Sequence, residues 1–369
     1  MKIKRTDIYK LNVNFAHPIK TPIGVLDCAR NVVVKITADN DLFGWGEASP
    51  FAPITGDSQE SNYFTAQYLA KLIIGKNPLA IEARMAEINA FTVSEPSIRS
   101  AFDMALYDLL GKAANLPLYA LLGGERREIR TDLTVGIQNS VEQTVAQVKS
   151  ILEQGFDAIK LKVGRPGLED VAHVKAVREQ VGPNVAIKID ANQGWDYPTA
   201  VANLQAMAPL NLQYGEQPLA AWDIDHLHSL RQKVTLPICA DESVFDDKDA
   251  LKLIKANAVD YLNIKLGKSG GIHTALKINA IAQAADCKCM IGCFAESRLA
   301  LSAAAHLAMA RPNIHFLDLD SAFGFKTDPV IAGMGYDRTI GGLIHLPDTP
   351  GHGATFNESH LDQKISVID

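Results

Sequence analysis

Ala158-Ile159-Lys160-Leu161-Lys162-Val163 is the stretch on which the reading of this chain turns. Successive side chains of a strand face opposite sides, so Ile159, Leu161 and Val163 share one face while Lys160 and Lys162 share the other. An aliphatic outer face fits a parallel strand covered by helices, and the lysines then point into the interior of a barrel. The pattern recurs downstream: Ile187 and Ile189 oppose Lys188, Asp190 and Asn192, and Leu262, Ile264 and Leu266 oppose Asn263 and Lys265.

Working outward, short apolar strands alternate with helical patterns from residue 125 onward. The strands are expected over 131–135, 158–163, 185–190, 212–216, 237–241, 261–265, 288–293 and 315–318, and the first is followed by a capping-box helix start at Ser140. Eight strands with intervening helices predict a (β/α)7-8 barrel of the TIM type, which takes about 250 residues. No Gly-rich phosphate fingerprint follows an early strand, which argues against a doubly wound sheet. Residues 1–124 read as an α+β capping domain, with strands over 8–15, 31–38 and 42–48 and helices over 58–74, 81–91 and 97–114. Residues 125–325 form the expected barrel. The tail, 326–369, is expected to return to the cap as a strand within 341–346.

Composition narrows the function classes. Of 369 residues, 47% are hydrophobic and 21% charged, enough apolar surface for a large core, and the net charge of −6 includes no basic cluster for nucleic acid. No stretch is apolar enough to span a bilayer and no signal-peptide core opens the chain, so the expected location is cytoplasmic, with no membrane partner. Five cysteines, without a Cys-x-x-Cys spacing, suggest reduced thiols rather than a disulfide framework or a zinc site. A small-molecule substrate is the expected partner, and the sequence leaves homo-oligomerisation open.

Asp190, Glu216, Asp241 and Lys265 follow one another at intervals of 26, 25 and 24 residues. One βα repeat advances the chain by about that much, so these groups gather at the C-terminal rim, where barrel enzymes work. Three neighbouring carboxylates are costly to bury unless a divalent cation neutralises them. An all-oxygen donor set favours Mg²⁺, with Mn²⁺ also suited. The bland alternative is a set of interior salt bridges, Lys162 with Asp190 and Lys265 with Asp241. Barrel interiors are otherwise filled by branched apolar side chains, so five charged groups in this register favour a site.

These motifs, Lys160-Leu161-Lys162, Asp190-Ala191-Asn192, Glu216-Gln217-Pro218, Asp241-Glu242-Ser243 and Asn263-Ile264-Lys265, resemble the enolase superfamily and its muconate-lactonizing subgroup over nearly the whole chain. The resemblance implies Asp190, Glu216 and Asp241 as magnesium ligands. It also implies Lys162 and Lys265 as bases on opposite faces of a substrate α-carbon, in a 1,1-proton transfer through an enediolate; that chemistry is the superfamily's own. Both lysines are then expected to have pKa values lowered toward neutrality. Lys160 is read either as a substrate-binding group or as charge balance, and Lys268 as a solvated loop residue.

Asp318 and Asp320 share one face at the end of the eighth strand, and the pair is similar to that of the dipeptide epimerase branch, where it binds a free ammonium group. Substrate-binding roles are also expected for Thr134, for Glu296, and for Gly24 and Ile54 in the cap loops 19–26 and 51–56. Epimerases acting on Ala-Glu carry an arginine in the first loop, which here holds only Lys20, so the expectation is an isomerase acting on small or apolar dipeptides of the Ala-Ala type. An o-succinylbenzoate synthase, an N-acylamino acid racemase, a muconate cycloisomerase and a non-catalytic metal-stabilised ligand-binding barrel are the alternatives weighed.

Overall fold

The computed structural model describes residues 1–337 and 339–369. Val32, Val34 and Ile36 point one way along the strand Gly24–Ala38 and Val33 the other, and all four are buried, so this strand belongs to a sheet covered on both faces. The sheet has four antiparallel strands: Ile3–Thr21, Gly24–Ala38 and Phe43–Ala48 in sequence, with Leu361–Ile368 paired to the outer side of the first. The tail thus returns to the cap, but not through the stretch expected. Ile344–His345 pairs with Gly335–Tyr336, and Ile344 N donates to Ile129 O at 3.1 Å; the strand that returns to the cap is Leu361–Ile368. The alternation in Leu361-Asp362-Gln363-Lys364-Ile365 is polar enough to read as loop; pairing to the edge of Ile3–Thr21 makes it a strand.

A second difference concerns the loop expected over 19–26. It is the tip of a hairpin, with Ile19 opposite Leu26, Lys20 opposite Val25 and Thr21 opposite Gly24. The register shifts between Asn14 and Ile19, and such an irregularity increases twist and re-aims a strand end.

Helices Gln59–Ile73, Ile81–Phe91 and Pro96–Ala114 pack beside the sheet. Ser58 caps the first: its hydroxyl accepts from Ser61 N, and Ser61 Oγ accepts from Ser58 N. Pro96–Ala114 is buried on nearly every side and stops where Asn115 takes a left-handed conformation two residues before Pro117. Gly44 and Gly46 lie against this helix. A Cβ on Gly46 would stand 1.8 Å from Ala101 O, and one on Gly44 2.0 Å from Ala105 O.

The second sheet holds eight parallel strands in sequential order: Leu133–Val135, Ala158–Lys162, Ala186–Asp190, Gly215–Glu216, Ile238–Ala240, Tyr261–Ile264, Lys288–Ile291 and Ile314–Leu317. A helix follows each of the first seven, and a 3-10 turn, Ser321–Gly324, follows the eighth. This is the (β/α) barrel expected. No strand ladder joins the eighth strand to the first; they meet through Asp132 N to Leu317 O at 3.4 Å and Leu319 N to Thr131 Oγ1 at 2.8 Å.

The register positions the site. Lys162 pairs with Asp190 and Asp190 with Glu216, but Glu216 pairs with Cys239, so Asp241 stands two residues further along its strand. Tilted strands in a barrel require such a stagger to keep side chains at one height. Below the charged groups, Tyr214, Cys239 and Met290 with Tyr261 and Phe316 plug the interior. No helix among the described residues is long and apolar enough to cross a membrane.

Gly46→Ala should lower stability by about 1–3 kcal/mol or more through overpacking against Ala101. Gly335→Ala, with open space around it, should stay within roughly 0.5 kcal/mol. Urea denaturation of the two variants checks this, and equal midpoints would refute the close approach.

Candidate active site

The strand ends bring buried lysines and carboxylates together as interleaved pairs. Lys160 is fully buried, and its Nζ lies 2.7 Å from Asp318 Oδ2, 2.9 Å from Glu216 Oε2 and 3.1 Å from Asp190 Oδ2. Burial pulls this ammonium down, but three carboxylates outweigh it and hold the pKa well above the usual lysine value. Lys162 Nζ donates to Asp190 Oδ2 at 2.6 Å and Asn192 Oδ1 at 2.9 Å. Lys265 Nζ donates to Asp241 Oδ2 at 2.8 Å, with Phe294 flanking the ammonium.

Both salt bridges anticipated as the bland alternative are therefore present, and they coexist with a cavity. Lys162, Lys265, Asn192, Thr134, Asp318, Asp320 and Ile54 line one space of about 350 Å³, roofed by Ile19, Ile23, Val25 and Leu26 from the hairpin tip and by Phe51 and Phe294. Gly24 is at the hairpin turn, and its neighbours Ile23 and Val25, not the glycine, line the cavity. Glu296 is buried, its Oε1 accepts from Phe294 N at 3.3 Å, and burial pushes its carboxyl up to about 8.

Two expectations need correction. Lys268 is not a solvated loop residue: it is completely buried and donates to Asp241 Oδ1 at 2.6 Å, to the Asp241 carbonyl and to Asn263 O. It lies three residues after Lys265 on the short helical turn Leu266–Ser269, a spacing that returns a side chain to the same side. Nor do the protein groups around Lys265 lower its pKa. Burial acts in that direction, but the adjoining Asp241 prevails and raises it above the usual value.

The carboxylates differ sharply. Asp241 is driven well below the ordinary range, because Lys265 and Lys268 overcome the effect of burial, and Asp190 is lowered by Lys160 and Lys162 in the same way. Glu216 is pushed up to about 7 by burial and by Asp190 despite Lys160. Burial, and then Asp241 and Asp190, push Glu242 up to about 8, and its Oε2 is buried without a hydrogen bond. Among the described residues, the three carboxylates whose oxygens lie within 4.8 Å of one another are Asp132, Asp318 and Asp320, while Asp190, Glu216 and Asp241 are each drawn onto lysines. The donor set at Asp190, Glu216 and Asp241 nevertheless fits a hard divalent cation: every donor is oxygen, and Glu216 remains under repulsion that a cation would relieve.

At the eighth strand, Asp320 Oδ2 accepts from Thr134 N at 2.7 Å, and Thr134 Oγ1 lies 3.5 Å from Asp318 Oδ1. Burial and then Asp318 push Asp320 up to about 6, whereas Lys160 keeps Asp318 low against burial. Asp132, which no motif in the sequence singles out, lies beside this pair. Period-two alternation from Thr134 would have marked it as inward-facing.

Lys160→Met leaves Asp190, Glu216 and Asp318 without their shared ammonium. The expected cost is about 3–5 kcal/mol, read as a lowered urea midpoint in chelator; an unchanged midpoint would show that Lys160 does not hold the three strands together.

Residues 5–123 match the mandelate racemase / muconate lactonizing enzyme N-terminal domain, and residues 143–360 the enolase C-terminal domain-like family. The D-Ala-D/L-Ala epimerase of Cytophaga hutchinsonii is 39% identical over 370 residues, covering 100% of both chains. The crystal structure of that organism's dipeptide epimerase, complexed with Mg and D-Ala-L-Val, superposes with a TM-score of 0.96. The hydrophobic dipeptide epimerase of Enterococcus faecalis is 39% identical over 356 residues, covering 96% of this chain and 99% of its own. The L-Ala-D/L-Glu epimerase of Bacillus subtilis, in a substrate-liganded structure, has 37% identity and a TM-score of 0.93, covering 96% of this chain and 99% of that one.

Proposed function

Because the chain belongs to the mandelate racemase / muconate lactonizing enzyme family of the enolase superfamily, we propose that it is a magnesium-dependent dipeptide epimerase, inverting the α-carbon of the C-terminal residue of small or apolar dipeptides. It is an isomerase of the racemase and epimerase kind. The observation that carries the reading is that Lys162 and Lys265, from the second and sixth strands, face the same cavity as Asp318 and Asp320.

In this reading Asp190, Glu216 and Asp241 hold Mg²⁺. Bound there, the ion supplies positive charge for the substrate carboxylate, which lowers the cost of removing the neighbouring proton. Lys162 Nζ and Lys265 Nζ take the two faces of the α-carbon: one, neutral, accepts the proton, and the other, charged, donates its own, so configuration inverts. Lys265 donates a hydrogen bond to Asp241 and Lys162 one to Asp190, so each amine is oriented by the carboxylate beside it. Lys160 balances the buried acids and keeps Asp318 ionised. Asp318 and Asp320, braced by Thr134, bind the substrate ammonium through charge-assisted hydrogen bonds. The cap loops and the segment near Glu296 exclude water.

Apolar specificity is supported by Ile19, Ile23, Val25, Leu26 and Ile54 in the cavity wall. Arg30 also reaches this wall, but it is paired with Asp27 at 3.2 Å, in a region open to water. Residues 1–124, 125–325 and 326–369 are taken as cap, barrel and returning segment.

With Mg²⁺ and pooled dipeptides in D₂O, mass spectrometry should show a gain of one unit in Ala-Ala-like members. Lys162→Ala and Lys265→Ala should each abolish epimerisation while retaining exchange from a single epimer. A strong preference for acidic over alanyl second residues would overturn the specificity, and full epimerisation by either variant the two-base assignment. Asp318→Asn and Asp320→Asn should each cost at least roughly a hundredfold in kcat/KM, and undiminished turnover would remove the ammonium site.

A further inference from the structure

We propose that Asp132 and Lys188 form a positioning pair that keeps Asp318 and Asp320 open to a substrate ammonium, and so sets the preference for substrates with a free amine. This rests on the dipeptide reading above and extends it to two residues below the cavity.

Asp132 faces inward just before the first barrel strand, and Lys188 does so from the third. Lys188 Nζ lies 2.8 Å from Asp132 Oδ2 and donates to Leu317 O at 3.2 Å, the residue preceding Asp318. Its ammonium also sits over the rings of Tyr214 and Phe316, at 5.9 and 5.5 Å, so it is fully enclosed by the barrel. One oxygen from each of Asp132, Asp318 and Asp320 lies within 4.8 Å of the others. An ammonium held by Asp132 therefore stands a small side-chain movement from the two carboxylates of the substrate subsite.

Asp132 is 1% exposed, and neither of its oxygens has a hydrogen bond of sound geometry. Among the described residues, Lys188 is the cation within ion-pair distance of it. A buried charge needs a partner. If Asp132 were neutral, the nearest alternatives for Lys188 would be Asp318 and Asp320, the groups a substrate ammonium must find unpaired. Lys160 already takes one oxygen of Asp318. A second internal ammonium on the pair would compete directly with the substrate amine, while the lysines that move the proton would be unaffected. Asp132 thus acts on KM through Lys188 and touches no reacting atom.

The test compares wild type, Asp132→Asn, Lys188→Met and the double variant. Steady-state kinetics on the preferred dipeptide are measured beside binding of its N-acetyl derivative as a competitive inhibitor, with thermal unfolding to verify folding. Asp132→Asn should raise KM for the dipeptide about tenfold or more with kcat within about threefold, and leave the N-acetyl inhibitor within about twofold. Removing the freed ammonium in the double variant should return KM toward wild type. Equal losses in kcat and kcat/KM, or a double variant as impaired as the single, would overturn the pair's role. If Asp132→Asn does not fold, Asp132→Ser is measured in its place: a raised KM with kcat kept supports competition by Lys188, and a KM equal to wild type overturns it. Wild type that epimerises no dipeptide would overturn the dipeptide reading itself, a result read before any variant is made.

Discussion

A carboxylate buried inside a barrel persists only if it finds a cation, accepts hydrogen bonds or takes up a proton, because an unpaired buried charge is costly. That constraint organises the interior. Lys160 bridges Asp190, Glu216 and Asp318, Lys265 and Lys268 share Asp241, and Lys188 meets Asp132. Three consecutive strands end in the acids Asp190, Glu216 and Asp241, and lysines from the second and sixth strands reach across to them, so these strands are linked by ion pairs above a plug of Tyr214, Cys239 and Met290. The lower layer supplies apolar burial and the upper layer holds chemistry.

The same economy connects cap to barrel. Asp103, in the long cap helix, accepts from Ile272 N at 2.5 Å and His273 N at 3.2 Å, and so caps the barrel helix that follows Lys268. Burial raises its carboxyl to about 8 even so. Glu47 accepts from Ser297 N, Ser297 Oγ and Ala300 N, while Asn31 bonds both Glu47 and Ala295 O. These contacts fix the loops after the sixth and seventh strands, the segments that carry Lys265 and Phe294 into the cavity. The cap covers the site and also sets the backbone that shapes its far wall.

Legibility followed burial. Strands with an aliphatic outer face and charged inner face, such as Ala158–Lys162 and Ala186–Asp190, announced themselves by period two, and the helix Ile81–Phe91 coincided with its pattern. Leu361–Ile368 did not, because a half-exposed edge strand has little apolar alternation and owes its form to its neighbour. A lysine beside Gly270-Gly271 reads as loop, and Asp241 at the end of the preceding strand is what makes the burial of Lys268 tolerable. The direction of the Lys265 shift also escaped the sequence, since it depends on a distance of 2.8 Å to one carboxylate.

The order of residues alone determined which side chains face inward and at which repeat they recur, because alternation along a strand and the length of a βα unit are local properties of the backbone. Tertiary structure decided which charges meet. The stagger between Glu216 and Asp241, the convergence of Asp132 with Asp318 and Asp320, and the shared cavity of Lys162 and Lys265 arise from strand tilt and from contacts between elements far apart in the chain. Electrostatic interaction depends steeply on separations of a few ångströms, and such separations exist only once the barrel has closed.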